Sequence, residues 1–405
     1  MADNGTTATS IASVSEANRS RIMRHLYRNG VCSRAQIAEA LSLTPAAVTK
    51  ITARLIETGV IRETGGMEGR KNRRSIGLGL NVGSFHVVGV KFARSIVQIG
   101  LFDLAGTPLD VREIDKVTEE TIPATLAAIH RAVGDMLASD AAIVAVGMAV
   151  PGPYLKDSGR TAVVSSMQGW KQVNFLDEFA HAFRVPVFVE QDARAGALAQ
   201  CLFDPDNAGA DSLAYYLIGE GVGLGVVERG RIIDGHLGAA SELGHVSVDV
   251  VNGLPCECGN VGCLERYCSA TAIHRMIVED GGLIDGAARL THAQACRELF
   301  AMAAGGDARA AAIVRRAARY VAFGCVTIIN MFNPQRIVIG DIGAAAGDLL
   351  LDVVHETVDR HVLPELNEST SITLSSLPSD AALGGAAAVA IDRFLEQPSA
   401  FLESA

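Results

Sequence analysis

The chain has 405 residues, 49% hydrophobic and 20% charged, a globular composition with length for two or three domains. No run approaches the roughly 20 apolar residues of a membrane helix, and the start MADNGTTATSIASVSEAN lacks both a basic region and a continuous apolar core. Membrane and secreted proteins are thereby excluded, a cytoplasmic one is expected, and eight cysteines are too few for a disulfide scaffold.

The formal net charge of −10 is unevenly spread. Residues 18–74 hold twelve Lys/Arg and four Asp/Glu, a balance of +8, which leaves −18 for the remainder. A small basic module joined to a large acidic body predicts a polyanionic partner for the module alone.

Residues 1–17 are expected to form a flexible lead. Beyond Asn18, the residues Ile22, Met23, Leu26 and Tyr27 make an apolar helical stripe that Gly30 ends. Ser33-Arg34-Ala35-Gln36 is a capping-box pattern opening a second helix over 34–41. Thr44-Pro45 supplies an N-cap and a first-turn proline for a third over 44–57. In that helix Val48, Ile51 and Leu55 share the inner face, leaving Thr44, Pro45, Ala46, Thr49 and Lys50 for an outer contact. Residues 60–63 and 75–80 pair as the strands of a wing, whose tip carries Arg70, Lys71, Arg73 and Arg74. Residues 18–80 therefore read as a winged helix-turn-helix, with the third helix for a major groove of double-stranded DNA and the tip cations for phosphates. A three-helix packing unit with a solvated basic loop is the other reading of this pattern.

From about Asn81 short β-rich runs appear at 87–90, 96–102, 143–150 and 187–190, with helical segments near 122–137, 175–183 and 193–203. A second set follows: strands at 213–218, 223–228, 231–233 and 336–339, and a helical region over 308–332. Both sets open with hairpin material and move to alternating helix and strand, which predicts a duplicated, two-lobed α/β fold with a cleft between the lobes. The first lobe is expected over about 81–195 plus an Ala-rich final helix within 380–397, and the second over about 196–379.

The segment SELGHVSVDVVNGLPCECGNVGCLE sets His245 eleven positions before Cys256, with Cys258 and Cys263 following as C-x-C-x4-C. Three thiolates and an imidazole complete a tetrahedral zinc shell with no open position, so the predicted Zn²⁺ is structural.

That segment resembles the ROK family of repressors, open reading frames and sugar kinases, and the similarity runs over nearly the whole chain. The family's G-E-x-G-H stands as Ser241-Glu242-Leu243-Gly244-His245, followed by C-x-C-G-x-x-G-C-x-E from Cys256 to Glu265. Pro151-Gly152-Pro153 is similar to its P-G-P turn, Gly169-Trp170 to its G-W segment, and Gln191-Asp192-Ala193-Arg194-Ala195 to its N-D-A-N-A run. The resemblance implies an actin-like, sugar-kinase-like body with a zinc knuckle. It also implies sugar-contacting roles for Gln191, Asp192, Glu242, His245 and Glu265, whose acceptors suit ring hydroxyls. The family's Asn before G-W is replaced by Ser165-Ser166-Met167.

The nucleotide side departs from the kinases of that family. Their D-x-G-G-T-K-like hairpin is replaced by Lys91-Phe92-Ala93-Arg94-Ser95, Glu220 stands where they have a threonine, and their G-G-G region reads Gly340-Asp341-Ile342-Gly343. Phosphoryl transfer needs those phosphates cradled and neutralised, so the expectation is no enzyme. Instead a sugar-responsive transcriptional regulator is expected, a homodimer or dimer of dimers that represses carbohydrate genes until a sugar or sugar phosphate releases it from its operator. A sugar kinase with a DNA-binding head, and a regulator sensing a protein partner, are the alternatives.

Overall fold

The computed structural model describes residues 11–67, 75–93, 96–114, 116–162, 168–377 and 381–402. Its head begins with α1 (Ile11–Asn29), which buries Ile22, Met23 and Leu26. Residues 11–17 are thus helical, not a flexible lead. Glu16 anchors those turns: its carboxylate pairs with Arg19 and accepts from the backbone N–H of Ser399 at 3.0 Å. After β1 (Cys32–Ser33), Ser33 caps α2 (Arg34–Leu41), its Oγ accepting from Gln36 N while Gln36 Oε1 accepts from Ser33 N at 2.8 Å. Thr44 caps α3 (Pro45–Glu57), where Val48, Ile51, Thr52 and Leu55 are buried. The wing follows as β2 (Ile61–Met67) and β3 (Ser75–Leu80), antiparallel, with β1 on the far side of β3.

The first lobe opens with a meander of β4 (His86–Phe92), β5 (Val97–Asp103) and β6 (Pro108–Ile114). Helix α4 (Ile122–Ser139) crosses to β7 (Ile143–Val150), parallel to β4. A small ribbon of β8 (Tyr154–Leu155) and β9 (Arg160–Thr161) and a short α5 (Phe175–Phe179) lead to β10 (Val187–Gln191), parallel to β7. The helix expected over 175–183 thus stops at Phe179, and the exposed strand β6 was not anticipated.

Helix α6 (Asp192–Phe203) carries the chain into the second lobe, so a division after residue 195 falls inside a helix and the junction lies at Gln191–Asp192. A second meander, β11 (Ser212–Ile218), β12 (Val222–Glu228) and β13 (Arg231–Ile232), is followed by α7 (Glu265–Cys268), α8 (Ala270–Asp280), α9 (His292–Ala304) and α10 (Ala308–Phe332). Then β14 (Arg336–Gly340) runs parallel to β11, and after α11 (Asp348–His361) and α12 (Pro364–Ser369), β15 (Ser371–Leu374) runs parallel to β14. The chain ends in α13 (Ala381–Glu396) and α14 (Ser399–Leu402).

The two five-stranded sheets have orders β10-β7-β4-β5-β6 and β13-β12-β11-β14-β15. In each, the three meander strands are antiparallel and the later two add in parallel beside the first, so the lobes repeat one topology. Helices α6 and α13 pack against each other between the sheets. Glycines set how close they come: a Cβ on Gly147 of β7 would collide with the carbonyl oxygen of Ala386, and one on Gly225 of β12 with that of Ala193.

Head and body share one core. Ile22, Met23, Leu26 and Leu55 belong to the same buried cluster as Val87, Phe102, Ile391, Phe394 and Leu395. Arg24 of α1 pairs with Asp392 of α13 at 2.7 Å across that boundary.

Candidate ligand cleft, metal cluster and DNA-facing helix

A cleft of about 470 Å³ opens between the lobes. Strand ends and turns line it: Lys91 from β4, the turn Pro151-Gly152-Pro153 after β7, Gln191 and Asp192 at the β10–α6 junction, and the Glu220–Gly223 loop before and into β12. Glu242, His245 and Glu265 close one wall, and Arg297 and Asp341 stand on another. All five residues expected to meet a sugar thus face one space. Ser165, Ser166 and Met167 lie outside the described residues; the neighbouring Trp170 is fully buried, its ring edge-on to Phe92 at 5.3 Å.

The junction of β10 and α6 is built by local hydrogen bonds. Gln191 is the N-cap of α6, and its Oε1 accepts from Arg194 N at 3.0 Å, so the side chain is held by the helix start with its amide nitrogen free of that bond. Asp192, at the first helical position, accepts from Ala193 N at 2.7 Å with Oδ1. Behind them Glu190, 4% exposed, accepts from Gln191 N at 2.9 Å and from Arg194 Nε at 2.7 Å, and pairs through Oε2 with Lys156 at 2.8 Å. This Glu190–Arg194–Lys156 group, which holds the cleft-facing junction, is not evident in the sequence. The i,i+4 spacing of Glu190 and Arg194 was its only trace.

Burial shapes the acids. Asp192 is pushed up to about 6, mainly because its ionised form is desolvated, with Lys91 pulling it down and Asp341 raising it. Glu242 is pushed up to about 7 by burial, against the pull of Arg194. A carboxyl poised this way can accept from a hydroxyl when ionised and donate when protonated. On the opposite side Glu220 faces His292 at 3.4 Å, and Asp341 packs so tightly over Gly219 that a Cβ there would sit 2.6 Å from its Oδ2. Two acids, Glu220 and Asp341, therefore line this side of the cleft.

His245, Cys256, Cys258 and Cys263 converge, their donor atoms all within 4.8 Å of one another. Cys258 Sγ lies 3.6 Å from Cys263 Sγ, and Cys256 Sγ 3.8 Å from His245 Nδ1. Donors on a tetrahedral ion with sulfur bonds near 2.3 Å are about 3.8 Å apart, so the residues fit a metal ion of that kind. Bridges between Ser247 and Cys263 and between Pro255 and Val261 hold the loop in shape. Glu265 joins cluster and cleft: its Oε1 is 3.2 Å from Cys256 Sγ, and its Oε2 lies toward Gly221.

In the head, Thr44, Pro45, Ala46, Thr49 and Lys50 are exposed along the start of α3. Thr49 Oγ1 donates to Pro45 O at 2.8 Å and Thr44 Oγ1 accepts from Ala47 N at 3.2 Å, so both hydroxyl groups also serve the helix. Arg34 ties α3 to the wing, reaching Thr52 Oγ1 at 3.2 Å and Glu63 at 3.1 Å. Arg70, Lys71, Arg73 and Arg74 lie outside the described residues.

Comparison with known proteins follows the same division. A family model described as ROK family matches residues 87–393, and one described as winged helix-turn-helix DNA-binding matches residues 16–62. The N-acetylglucosamine repressor of Escherichia coli O6:H1 is 30% identical over 383 residues, covering 93% of each chain. The xylose repressor of Bacillus subtilis is 26% identical over 386 residues, 95% of this chain and 97% of that one. The crystal structure of a ROK family transcriptional regulator, a homolog of the E. coli Mlc protein, matches with a TM-score of 0.80 at 26% identity, covering 97% and 100% of the two chains. With its body matched across both lobes and its head matched as a DNA-binding module, the chain belongs to the ROK family.

Proposed function

We propose that this protein is a sugar-responsive, DNA-binding repressor of carbohydrate genes that binds its sugar without phosphorylating it. The observation that carries the reading is the asymmetry of one cleft. Gln191, Asp192, Glu242, His245 and Glu265 offer hydroxyl partners on one side, while Glu220 and Asp341 repel polyphosphate on the other. The repressor names of its relatives support the same direction. Helix α3 reads a major groove through Thr49 and Lys50, and the cations 70–74 of the wing grip phosphates. Two chains pair through their bodies, as a dimer or dimer of dimers, to set two heads on a pseudo-palindromic operator.

The metal is Zn²⁺, held by His245, Cys256, Cys258 and Cys263. It is structural: it would fix the ring of His245 and, through Cys256, the carboxylate of Glu265 where both face the cleft. A sugar between the lobes favours one lobe angle, and its different affinity for the two conformations shifts the operator equilibrium. Calorimetry over monosaccharides and their phosphates, paired with gel shifts on the operator, tests this. A sugar that binds yet leaves operator affinity unchanged refutes the switch, and steady conversion of sugar and ATP to sugar phosphate refutes the non-catalytic reading in favour of a kinase with a DNA-binding head.

A further inference from the structure

One ammonium joins the two lobes behind the ligand cleft. Lys156 directly follows β8 of the first lobe. Its Nζ meets Glu190 Oε2 at 2.8 Å in its own lobe and Asp234 Oδ1 at 2.5 Å in the other. The backbone repeats the link, Lys156 N donating to Leu237 O at 3.3 Å. Gly238, at φ +72°, lies so close that a Cβ there would stand 2.7 Å from Lys156 Cγ. The lysine side chain is part-buried and is not among the residues that line the cleft.

Each carboxylate it holds leads directly to a ligand-facing residue. On the first lobe Glu190 accepts with its other oxygen from Gln191 N and Arg194 Nε, and so fixes the turn that presents Asp192. On the second lobe Asp234 opens a loop closed by Ala240 N donating to Asp234 O at 3.0 Å, and Glu242 follows two residues later. The two cleft acids therefore stand on frames that meet at a single ammonium. Arg194 bears on the same point. Its Nη1 and Nη2 are buried without a hydrogen-bond partner among the described residues, an unfavourable state. The second Glu190 oxygen, which would give this guanidinium a two-pronged pair, is held by Lys156 instead. The chain thus forgoes a closed Glu190–Arg194 pair for a link that reaches the other lobe.

We infer that Lys156 is the positioning residue of the ligand site: it holds Asp192 on one lobe in register with Glu242 on the other, and so couples ligand to lobe angle. The inference rests on the sugar-binding reading above and adds the element that regulates it. The bridge acts in both directions. A lobe rotation that shifts Asp234 draws Lys156 with it, and with Lys156 go Glu190 and the Asp192 turn. A ligand that brings Asp192 and Glu242 together favours the lobe angle at which the bridge is closed. Lysine suits this task, because a point charge on a flexible stem serves two carboxylates while they move.

The test is a double-mutant cycle on the full-length protein with Lys156→Met and Asp234→Asn, both outside the cleft lining. Calorimetry with glucose, N-acetylglucosamine, their 6-phosphates and xylose selects the ligand that the parent binds most tightly. Each single variant should bind it about tenfold more weakly, and the double variant no more weakly than the singles, since all three lack one bridge. Lys156→Arg should keep most of the affinity. Melting temperatures check folding: in Lys156→Met the freed Glu190 oxygen is open to the Arg194 Nη groups, so the buried carboxylate stays compensated. Should that variant fail to fold, Asp234→Asn, whose parent side chain is 43% exposed, carries the test. Amide exchange read by mass spectrometry supplies a ligand-free measure, and Lys156→Met should speed exchange over 190–194 and over 234–245 alike. Unchanged affinity in the single variants would overturn the inference and leave the sugar-binding reading standing. So would losses that multiply in the double variant, or faster exchange on one lobe alone. If no member of the panel binds the parent, the sugar reading itself fails, and the role of Lys156 in ligand binding with it.

Discussion

Asp192→Asn should make the protein more stable at neutral pH while depriving it of its effector response. The carboxyl is pushed from its ordinary 3.8 up to about 6, because burial disfavours the ion more than Lys91 and the Ala193 amide favour it. The folded state therefore holds this proton more tightly than the unfolded chain does. The stability contributed by the neutral acid is complete below about 4 and is lost as the pH rises through about 6. At about 1.4 kcal/mol per unit, the ionised form would cost up to about 3 kcal/mol. Because the side chain lines the open cleft and is only half-buried, about 1–2 kcal/mol is the better expectation. Asparagine keeps the acceptor for Ala193 N and removes the charge. Thermal unfolding at pH 7.5 should then show a gain of about 1–2 °C for a chain of this length, falling to about half at pH 5. Asp341, Arg194 and Lys91 also face this group, so the same titration run in Lys91→Met should show a larger gain. A variant no more stable than the parent at pH 7.5, or one whose advantage does not change with pH, would refute the argument.

Cys258→Ser should lose stoichiometric metal, measured by elemental analysis of chelator-free protein, and several kcal/mol of stability with it; full metal content in the variant would remove Cys258 from the ligand set. Gly147→Ala should lower the urea midpoint by an equivalent of about 1–3 kcal/mol, since the new methyl meets the Ala386 carbonyl, and an unchanged midpoint would show that α13 stands further from β7. Lys50→Ala should cost about 1–3 kcal/mol on the cognate operator and less on unrelated DNA. Equal loss on both would make Lys50 a phosphate contact, and no loss would take the start of α3 out of the interface.

Features whose causes are local in the chain were the ones legible in the sequence. The Ser33–Gln36 capping box, the Thr44-Pro45 start of α3 and the spacing of Cys256, Cys258 and Cys263 each need only neighbours within a few residues, and each appears as expected. The duplication was readable because the opening hairpin of each lobe, β4–β5 and β11–β12, is largely apolar and buried. Strand β6 was not, because it is exposed along nearly its whole length and has no buried face to alternate with. Strand β15 buries only Ile372. The helical start at Ile11 depends on Ser399, far along the chain, as the tight crossing at Gly147 depends on Ala386. That Gln191 also caps α6 through its oxygen is visible only once the helix start is placed.

The shared core of head and body changes what counts as a module. In sequence the DNA-binding unit ends near residue 80, but Ile22, Met23 and Leu26 are buried in one cluster with Ile391, Phe394 and Leu395, and Arg24 is matched to Asp392. A chain cut at residue 80 would bare the last turns of α13 to water, leaving an apolar strip and an unmatched acid, and such strips promote aggregation. Anyone grafting this head onto another body must carry α13 and α14 with it or redesign their surface. The exchangeable part is discontinuous, a beginning and an end that inheritance must keep compatible although some three hundred residues of sensing domain lie between them.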